Sequence, residues 1–557
     1  MRPVLIDKLM LQRNSSCFFA KRGLKWAIKN VYSMSITTPE YHSHEEFKNR
    51  SAKLAEIRAL GIDPYPPKFI PTTPSTTLLK SYAQENIGLS EDAAAGATPF
   101  VAAAGRLVLF RSMGKNIFAH IQDEKGRLQL MFNRDLTKVS DYTPSEELSH
   151  LKFIEKKLDL GDIIGVEGNL FHTQKGELTL FVKKVTLLCK TLLPLPEKHS
   201  GLVDKGTRYR KRWLDLITHS EVKELFITRS LILQFIRHYL ENLDFLEVET
   251  PVLQNIYGGA SAAPFKTQLE ALHQEVYLRI SLEIPLKKLI VGNFGKIFEI
   301  SKVFRNEGID RTHNPEFTML EIYAPYWDYY DMMTLTENLF EGLALKLFGT
   351  SEISFFSEQL QKEVTIHLQA PWKRLSMKES LKEYASIDVD SLSEEEMRHL
   401  LESKTAISTE IKEASRGLLI SKLFEAFVEK ELIQPHHIID HPIETTPLCK
   451  LHRDPKLRAE RLVERFESFI LGKEICNSYT ELNDPELQRE LLVEQAKMKL
   501  AGDKEAHPLD EEFIEAICQG MPPTGGLGIG IDRLVMLFTK ASSIRDVLFF
   551  PIMRPEE

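Results

Sequence analysis

Two proline-rich stretches decide how this chain can be divided. Residues 64–77 read PYPPKFIPTTPSTT and residues 192–202 read LLPLPEKHSGL. Proline fixes φ and lacks a backbone N–H, so neither stretch fits a helix or a central strand. The first reads as an extended linker and the second as a connector. Ahead of the first, Phe47, Leu54 and Ile57 fall on one helical stripe within 44–60, closed by Gly61 and Pro64. Past the small residues 93–97, the pattern changes to predicted short strands at 101–111, 117–122, 127–133, 162–171 and 177–188. Leu178, Leu180 and Val182 alternate inward in the last of these, as in a half-buried strand.

A helical stretch over 146–157 falls between the third and fourth strands. Five strands with a helix at that place have the order of an OB-fold barrel, a fold that stacks single-stranded bases on exposed aromatic rings beside basic groups. Arg111, Phe118, Arg127 and Gln129 are candidates for that surface; the alternative is that Phe118 belongs to the core. After the basic run RYRKRWLDL (208–216), long amphipathic helices mix with antiparallel strand pairs, an α+β arrangement. Residues 351–440 are more polar, with SEEE at 393–396 and helical spacing at Leu419, Leu423 and Phe427, and read as a helical insertion. The expected division is a basic, disordered extension over 1–43, a helix and linker over 44–97, the barrel over 98–191, a linker over 192–215 and the α+β unit over 216–557.

Composition removes whole classes of function. With 71 Lys and Arg against 79 Asp and Glu the net charge is −8, which leaves nucleic acid open because a local basic face matters more than the total. No apolar run approaches the roughly 18 residues that a membrane helix needs. Cys17, Cys189, Cys449, Cys476 and Cys518 are scattered and form no C-x-x-C pair, which fits a reducing compartment and a cytoplasmic location. Residues 1–33 carry seven Lys and Arg against one acid, Asp7, and lack a secretory h-region. A loose tail or an upstream start ahead of Met34 is the expected reading, with an organelle transit peptide as the alternative.

Three segments carry chemistry. FLEVETPVL (245–253) is a predicted strand that ends, or sits at an edge or bulge, at Pro251. KIFEISKVFRNEGIDRTHNPEFTMLEIYAPYWD (296–328) reads as strand, polar loop and strand, with Arg305 and Glu307 on one side and Glu321 and Tyr323 likewise. An Arg facing acids on a strand needs an anionic ligand or an ion-pair partner, and Glu307 and Glu321 are the candidate partners. GLGIGIDRLVMLF (526–538) brings Gly526, Gly528 and Gly530 into a helix opened by Arg533, a pattern suited to a phosphate-rich ligand. The dinucleotide fingerprint is excluded, because no βαβ unit and no acid about 20 residues on accompany the glycines.

In order and spacing these segments resemble the three signature motifs of class II aminoacyl-tRNA synthetases. YGGASAAPF (257–265), LRISLE (278–283), FRNEGIDRTHNPEFTMLEIY (304–323), RFESFILGKEICNSYTELND (465–484) and PPTGGLGIGIDRLVMLF (522–538) are similar to the bacterial-type lysyl-tRNA synthetases, and the resemblance runs from about 40 to 554. It implies an OB-fold anticodon-binding barrel followed by an antiparallel-sheet catalytic domain, a homodimer, and the partners ATP, L-lysine and tRNA(Lys). Lysine is activated to lysyl-adenylate with release of pyrophosphate, and lysyl then passes to the tRNA 3′ end.

By the same resemblance Arg305 clamps the α-phosphate and the lysine carboxylate. Glu307, His313 and Asn314 hold ATP, Phe317 stacks on adenine, and Arg533 binds the γ-phosphate. Glu467 and Glu474 match the carboxylates that hold Mg2+. Gly259, Glu283, Glu321, Tyr323, Asn477, Tyr479 and Glu481 form the lysine pocket, acidic because a desolvated ammonium needs carboxylate partners. Arg111, Phe118, Gln129 and Glu177 match anticodon-reading positions. Tyr479 and Cys476 depart from the commoner Phe and Gly, and the Tyr479 hydroxyl needs a partner. His313 is expected to serve as a hydrogen-bonding group and not as a general base. Aspartyl- or asparaginyl-tRNA synthetase, a lysyltransferase acting on protein, and a non-catalytic RNA-binding relative are the competing readings. The FRNEG and NSYTEL segments, the barrel, and the presence of Arg305, Arg533, Glu467 and Glu474 speak against them in turn.

Overall fold

The computed structural model describes residues 38–555 except 84, 86, 197–201, 358–360, 405–410, 412, 503 and 504. The basic segment 1–33 and most of the expected extension lie outside the described residues; Glu40–Ser43, at the end of that extension, forms one 3-10 turn. The chain divides into two compact units between residues 199 and 200.

In the first unit, strands β1 (Phe100–Met113), β2 (Asn116–Gln122), β3 (Arg127–Asn133), β4 (Ile163–His172) and β5 (Leu178–Cys189) are ordered β3-β2-β1-β4-β5. A parallel pairing of β3 with β5, Leu130 opposite Leu180, closes the barrel. Period-two alternation does the sorting: Ile117, Ala119 and Ile121 of β2, Leu128, Leu130 and Phe132 of β3, and Leu178, Leu180 and Val182 of β5 fill the interior. Helix α1 (Glu45–Ala59) adds Ile57, and helix α2 (His150–Lys157), capped by Ser149 accepting from the Lys152 N–H, adds Leu151, Phe153 and Ile154. The expected apolar stripe of α1 is only partly used: Phe47 and Leu54 are half-buried, whereas Arg50 is buried and donates to Leu160 O at 3.1 Å and Thr191 Oγ1 at 3.0 Å.

The proline-rich stretch is extended yet fastened. Thr72 N–H donates to Ala102 O at 2.8 Å, and Tyr65 Oη donates to Lys190 O at 2.9 Å. Its last residues begin a short helix, Ser75–Tyr82. Closure of the barrel requires glycine where β4 shifts register against β5, because a Cβ on Gly168 would stand 1.9 Å from Phe181 O.

The second unit is built on strands β6 (Leu246–Glu247), β7 (Ile297–Phe304), β8 (Glu316–Pro325), β9 (Lys373–Ser376), β10 (His436–Pro442), β11 (Leu462–Ile470), β12 (Lys473–Thr480) and β13 (Thr524–Gly530). Their order is β9-β10-β11-β12-β13-β8-β7-β6; the six central strands are antiparallel and both edge pairings are parallel. Helix α3 (Ser220–Glu241), helix α5 (Tyr329–Phe348), capped by Asp328, and helix α6 (Ile531–Thr539) bury one face of this sheet. Phe298, Leu320, Ile322, Phe466, Leu527 and Ile529 meet Ile236, Leu339, Phe340 and Leu534 there. Helix α4 (Glu283–Val291) packs Leu286 and Ile290 against Ile297, Val303 and Tyr323, on the opposite face.

Two expectations are corrected. The predicted strand at 245–253 is broken: only Leu246–Glu247 pairs with β7, and Leu253–Gln254 joins a separate three-stranded sheet with Gln274–Leu278 and Lys266–Leu269. The stretch 351–440 is not helical throughout. It opens with a hairpin, Glu352–Ser357 with Lys362–His367, and it contributes β9 and part of β10 to the main sheet. Its described helices are Met377–Ala385, Glu394–Glu402 and Arg416–Phe427, with their own core around Leu381, Met397, Leu419 and Leu423.

Gly168→Ala should cost the barrel about 3 kcal/mol through overpacking against the β5 backbone. The expected readout in the full-length chain is faster hydrogen exchange in β4 and β5, with β11 to β13 unchanged.

Candidate active site and nucleic-acid interface

On the face of the sheet opposite the helical core, β8, β12 and β13 place their chemistry side by side. Leu320 and Ile322 point into the core, so Glu321 and Tyr323 point out; Cys476 points in, so Asn477 and Tyr479 point out. They line a cavity of about 400 Å³. Gly259, Glu283, Arg305, Glu307, His313, Asn314, Phe317, Glu467, Glu474, Glu481 and Arg533 also line it, so the fifteen positions named for ATP, lysine and metal share one cavity.

At its acidic end Glu321 accepts from Ser281 Oγ at 2.8 Å, the Leu282 N–H at 2.9 Å and Tyr323 Oη at 3.0 Å. Burial, with the charge of Glu283 next, nonetheless pushes its carboxyl up to about 7. Glu481 is buried too, and desolvation raises it to about 8 against the opposing charge of Lys287. Lys287, fully buried on α4, lies 2.5 Å from Glu283 Oε1 and also pairs with Glu481. Gly526 is opposite Tyr323 and Tyr479 in the ladder, and a Cβ there would stand 1.8 Å from Glu481 Oε1 and 2.7 Å from the Tyr323 ring. The close approach expected of this glycine strand is thus to a carboxylate and a ring; Gly530 meets nothing nearer than the Arg533 side chain at 3.9 Å. Gly259 has φ +85°, and its Cβ would collide with Ser281 and Glu283.

The cationic end is built around Arg305. Its guanidinium is half-buried, lies 5.2 Å from the Phe317 ring centre and donates weakly to Ile280 O at 3.3 Å. No ion pair joins it to Glu307 or Glu321 among the described residues, so the structural-pair reading of the sequence is set aside and the charge remains available to an anion. Asn314 is buried, and its Oδ1 has no hydrogen-bond partner among the described residues, an acceptor left for a donor from outside. His313 shares Nδ1 with Asp310 at 2.7 Å, while Arg533 Nη2 meets its Nε2 at 3.0 Å. A guanidinium can only donate, so Nε2 accepts and Nδ1 carries the proton. That arrangement fits a positioning group and not a base.

Glu467 and Glu474 come from β11 and β12. Burial and then the charge of Glu467 raise the Glu474 carboxyl, with Arg533 and Arg465 opposing. Two mutually repelling hard-oxygen donors fit a magnesium ion that completes its shell with phosphate and water. Arg465 went unnoticed in the sequence. It donates to Asn477 Oδ1 at 3.1 Å, lies 2.5 Å from Glu467 Oε1 and sits 5.6 Å from the Tyr479 ring centre. Its spacing of two from Glu467 on one strand was the available signal. The Tyr479 hydroxyl meets the Thr446 side chain, the partner that substitution requires, and Cys476 falls on the core side.

On the barrel, Phe118, His120, Gln129 and Met131 alternate outward. Gln129 Nε2 donates to Glu177 Oε2 at 2.7 Å, Thr179 Oγ1 donates to Gln129 Oε1 at 2.7 Å, and His120 Nε2 meets Glu177 Oε1 at 3.1 Å. Phe118 is half-buried on Met131, Phe171 and Phe181, outside the barrel interior, and pairs in register with the exposed Arg111. Arg127 donates to Gln122 Oε1 at 3.1 Å. His120 was not singled out in the sequence; its place two residues after Phe118 was the signal.

Comparison with known proteins agrees with both halves. The family described as "tRNA synthetases class II (D, K and N)" matches residues 204–554, and the "OB-fold nucleic acid binding domain" matches 101–188. A lysine–tRNA ligase of Chlamydia caviae is 56% identical over 521 residues, covering 93% of this chain and 99% of that protein. One from Chlamydia pneumoniae is 55% identical, covering 92% and 98%, and one from Moorella thermoacetica is 45% identical, covering 91% and 97%. The chain belongs to the class II lysine–tRNA ligases. Its cavity lies on the antiparallel strands β8, β12 and β13 of the main sheet. No described helix of this ligase is long and apolar enough to cross a membrane.

Because Gly526 makes room for Glu481 and Tyr323, Gly526→Ala should lower kcat/KM for lysine-dependent ATP–pyrophosphate exchange by about 100-fold, the scale of a 1 Å misplacement. ATP binding, measured by nucleotide titration, should stay within about twofold of the parent chain.

Proposed function

We propose that the chain activates lysine with ATP and transfers it to tRNA(Lys), the cavity serving as the adenylation site and the barrel as the anticodon reader. The observation that carries this reading is one cavity holding three buried carboxylates, Glu283, Glu321 and Glu481, at one end and Arg305, Arg533, Glu467 and Glu474 at the other. A substrate with two ammonium groups and a carboxylate fits the first, and a polyphosphate with its cation fits the second.

The lysine carboxylate attacks the α-phosphorus in line, displacing pyrophosphate and forming the mixed anhydride; a 3′-terminal ribose hydroxyl then takes the lysyl group and AMP leaves. No protein nucleophile is needed, so the work is positioning and charge stabilisation. Arg305 holds the lysine carboxylate beside the α-phosphate. Glu307, His313 and Asn314 hold ATP, Phe317 stacks on adenine, and Arg533, fixed by His313 and the Glu474 carbonyl, takes the γ-phosphate. Magnesium held by Glu467 and Glu474 would neutralise phosphate charge. Glu283, Glu321 and Glu481 take the ammonium groups, with Gly259, Tyr323, Asn477 and Tyr479 shaping the pocket. In the barrel Phe118 stacks a base, and Arg111, Gln129 and Glu177 contact phosphate or base edges.

Exposed Ile227 and Leu231 on α3, together with Leu246, Val252 and Leu253, form the apolar surface on which a homodimer is proposed. The cytoplasm suits a chain of scattered cysteines. The proposed domains are an N-terminal segment to 43, a helix and linker to 97, the barrel to 191, a connector to 215 and the catalytic unit from 216.

Exchange of pyrophosphate into ATP, tested with all twenty amino acids and magnesium, should respond to lysine alone; exchange with aspartate or asparagine would overturn the pocket reading. Because Glu321 and Glu481 are raised toward neutrality when the pocket is empty, an ammonium must displace protons near pH 7. Lysine affinity should weaken as pH falls from 8 to 6, by up to about tenfold per pH unit for each proton displaced. Calorimetry in buffers of different ionisation enthalpy would register that release. Phe118→Ala should raise KM for tRNA(Lys) about tenfold or more, since a stacked base contributes about 1–3 kcal/mol, and should leave lysine-dependent exchange unchanged.

A further inference from the structure

Lys287 does not line the cavity; it stands behind two of the carboxylates that do. It is fully buried, four residues after Glu283 on α4, and its ammonium bridges Glu283 and Glu481, which come from separate parts of the chain. With its three carboxylates, Glu283, Glu321 and Glu481, all deprotonated, the one internal ammonium leaves a formal −2 for a substrate end that carries two ammonium groups. We propose that Lys287 is a positioning residue for lysine recognition: it aims Glu283 and Glu481 at the substrate and favours their charged forms, so that the carboxylates lose their protons and match lysine in charge as its ammonium groups enter. The inference rests on the reading that these glutamates receive the lysine ammonium groups.

The other groups facing the cluster leave this count intact. From β8 and β12, Tyr323 and Tyr479 are raised by burial and stay neutral, as does the Cys449 thiol. His507 is lowered to about 4 by burial, with Lys287 and Lys499 adding to it, so it too is neutral. Arg465 on β11 is paired with Glu467, and Lys499 is bound to the Tyr257 hydroxyl. Lys287 is therefore the cation that contacts Glu283 and Glu481 among the described residues. Without it, two buried carboxylates in one apolar site would share a proton, since like charges there cannot both ionise.

Lys287→Met should raise the lysine KM about tenfold or more at pH 7, with ATP KM and kcat at saturating lysine within about twofold. The gap should narrow as pH rises toward 9, where the carboxylates regain charge. Lys287→Arg, which keeps the charge, should stay near the parent pH profile. A uniform loss of kcat with lysine KM unmoved, or the same profile for Met and Arg, would overturn the proposal. Where Lys287→Met fails to fold, E283Q with K287M removes the charge pair together. Its lysine KM should be no higher than that of E283Q alone, because the double variant returns to −2; a higher KM would also overturn the proposal. Should E283Q and E481Q both leave lysine KM untouched, the pocket reading itself fails, separately from the role of Lys287.

Discussion

Everything at the catalytic end of this chain depends on the strict alternation of a sheet with one dry face and one chemical face. Leu320, Ile322, Leu527 and Ile529 are fully buried against α3, α5 and α6, and that burial sets the register of β8 against β13. At about 1.5–3 kcal/mol for each such side chain, the apolar face far outweighs any polar contact opposite it. Glu321, Tyr323, Asn477 and Gly526 therefore have no choice of side, since a slip of one residue would send them into the core. The ionisable groups are held where water would otherwise keep them apart because the back of the sheet fixes them there.

Their electrostatics follow from that placement. Glu321 and Glu481 are raised chiefly by desolvation; Glu481 faces the Lys287 ammonium, while Glu321 is held by neutral hydroxyl and amide donors. Arg305 stands at the other end with an aromatic ring beneath it and no ion-pair partner among the described residues. Unpaired or half-paired buried charge of either sign is costly in the empty protein. A zwitterionic substrate with an extra ammonium relieves both ends at once, and this links burial to selectivity.

Much of this could be read from one-dimensional spacing. The barrel order, the alternation of Glu321 with Tyr323 and of Asn477 with Tyr479, and the helix after Gly530 are period-two and period-3.6 signals. What escaped the sequence depends on contacts between distant segments. Lys287 is not singled out by any spacing, and its second partner, Glu481, lies on the far side of the insertion. Arg465 stood inside a quoted motif, yet its grip on Asn477 needs two paired strands. Residues 351–440 read as helical from the spacing at 419–427, which says nothing of the neighbours that form strands. The glycines of β13 were assigned to a phosphate, whereas Gly526 yields its space to Glu481, something only the facing strand could reveal.

The edge at β6 has a further consequence. It offers only two residues in parallel pairing, and Pro251 lacks the donor that a neighbouring strand would need nearby. The sheet consequently presents almost no free ladder of amides on that side. At this edge there is little ladder for another copy to extend, so association there has to work through side-chain shape and apolar contact. Such a surface recognises a partner of one particular contour, whereas an open row of amides would accept any extended peptide and grow without limit.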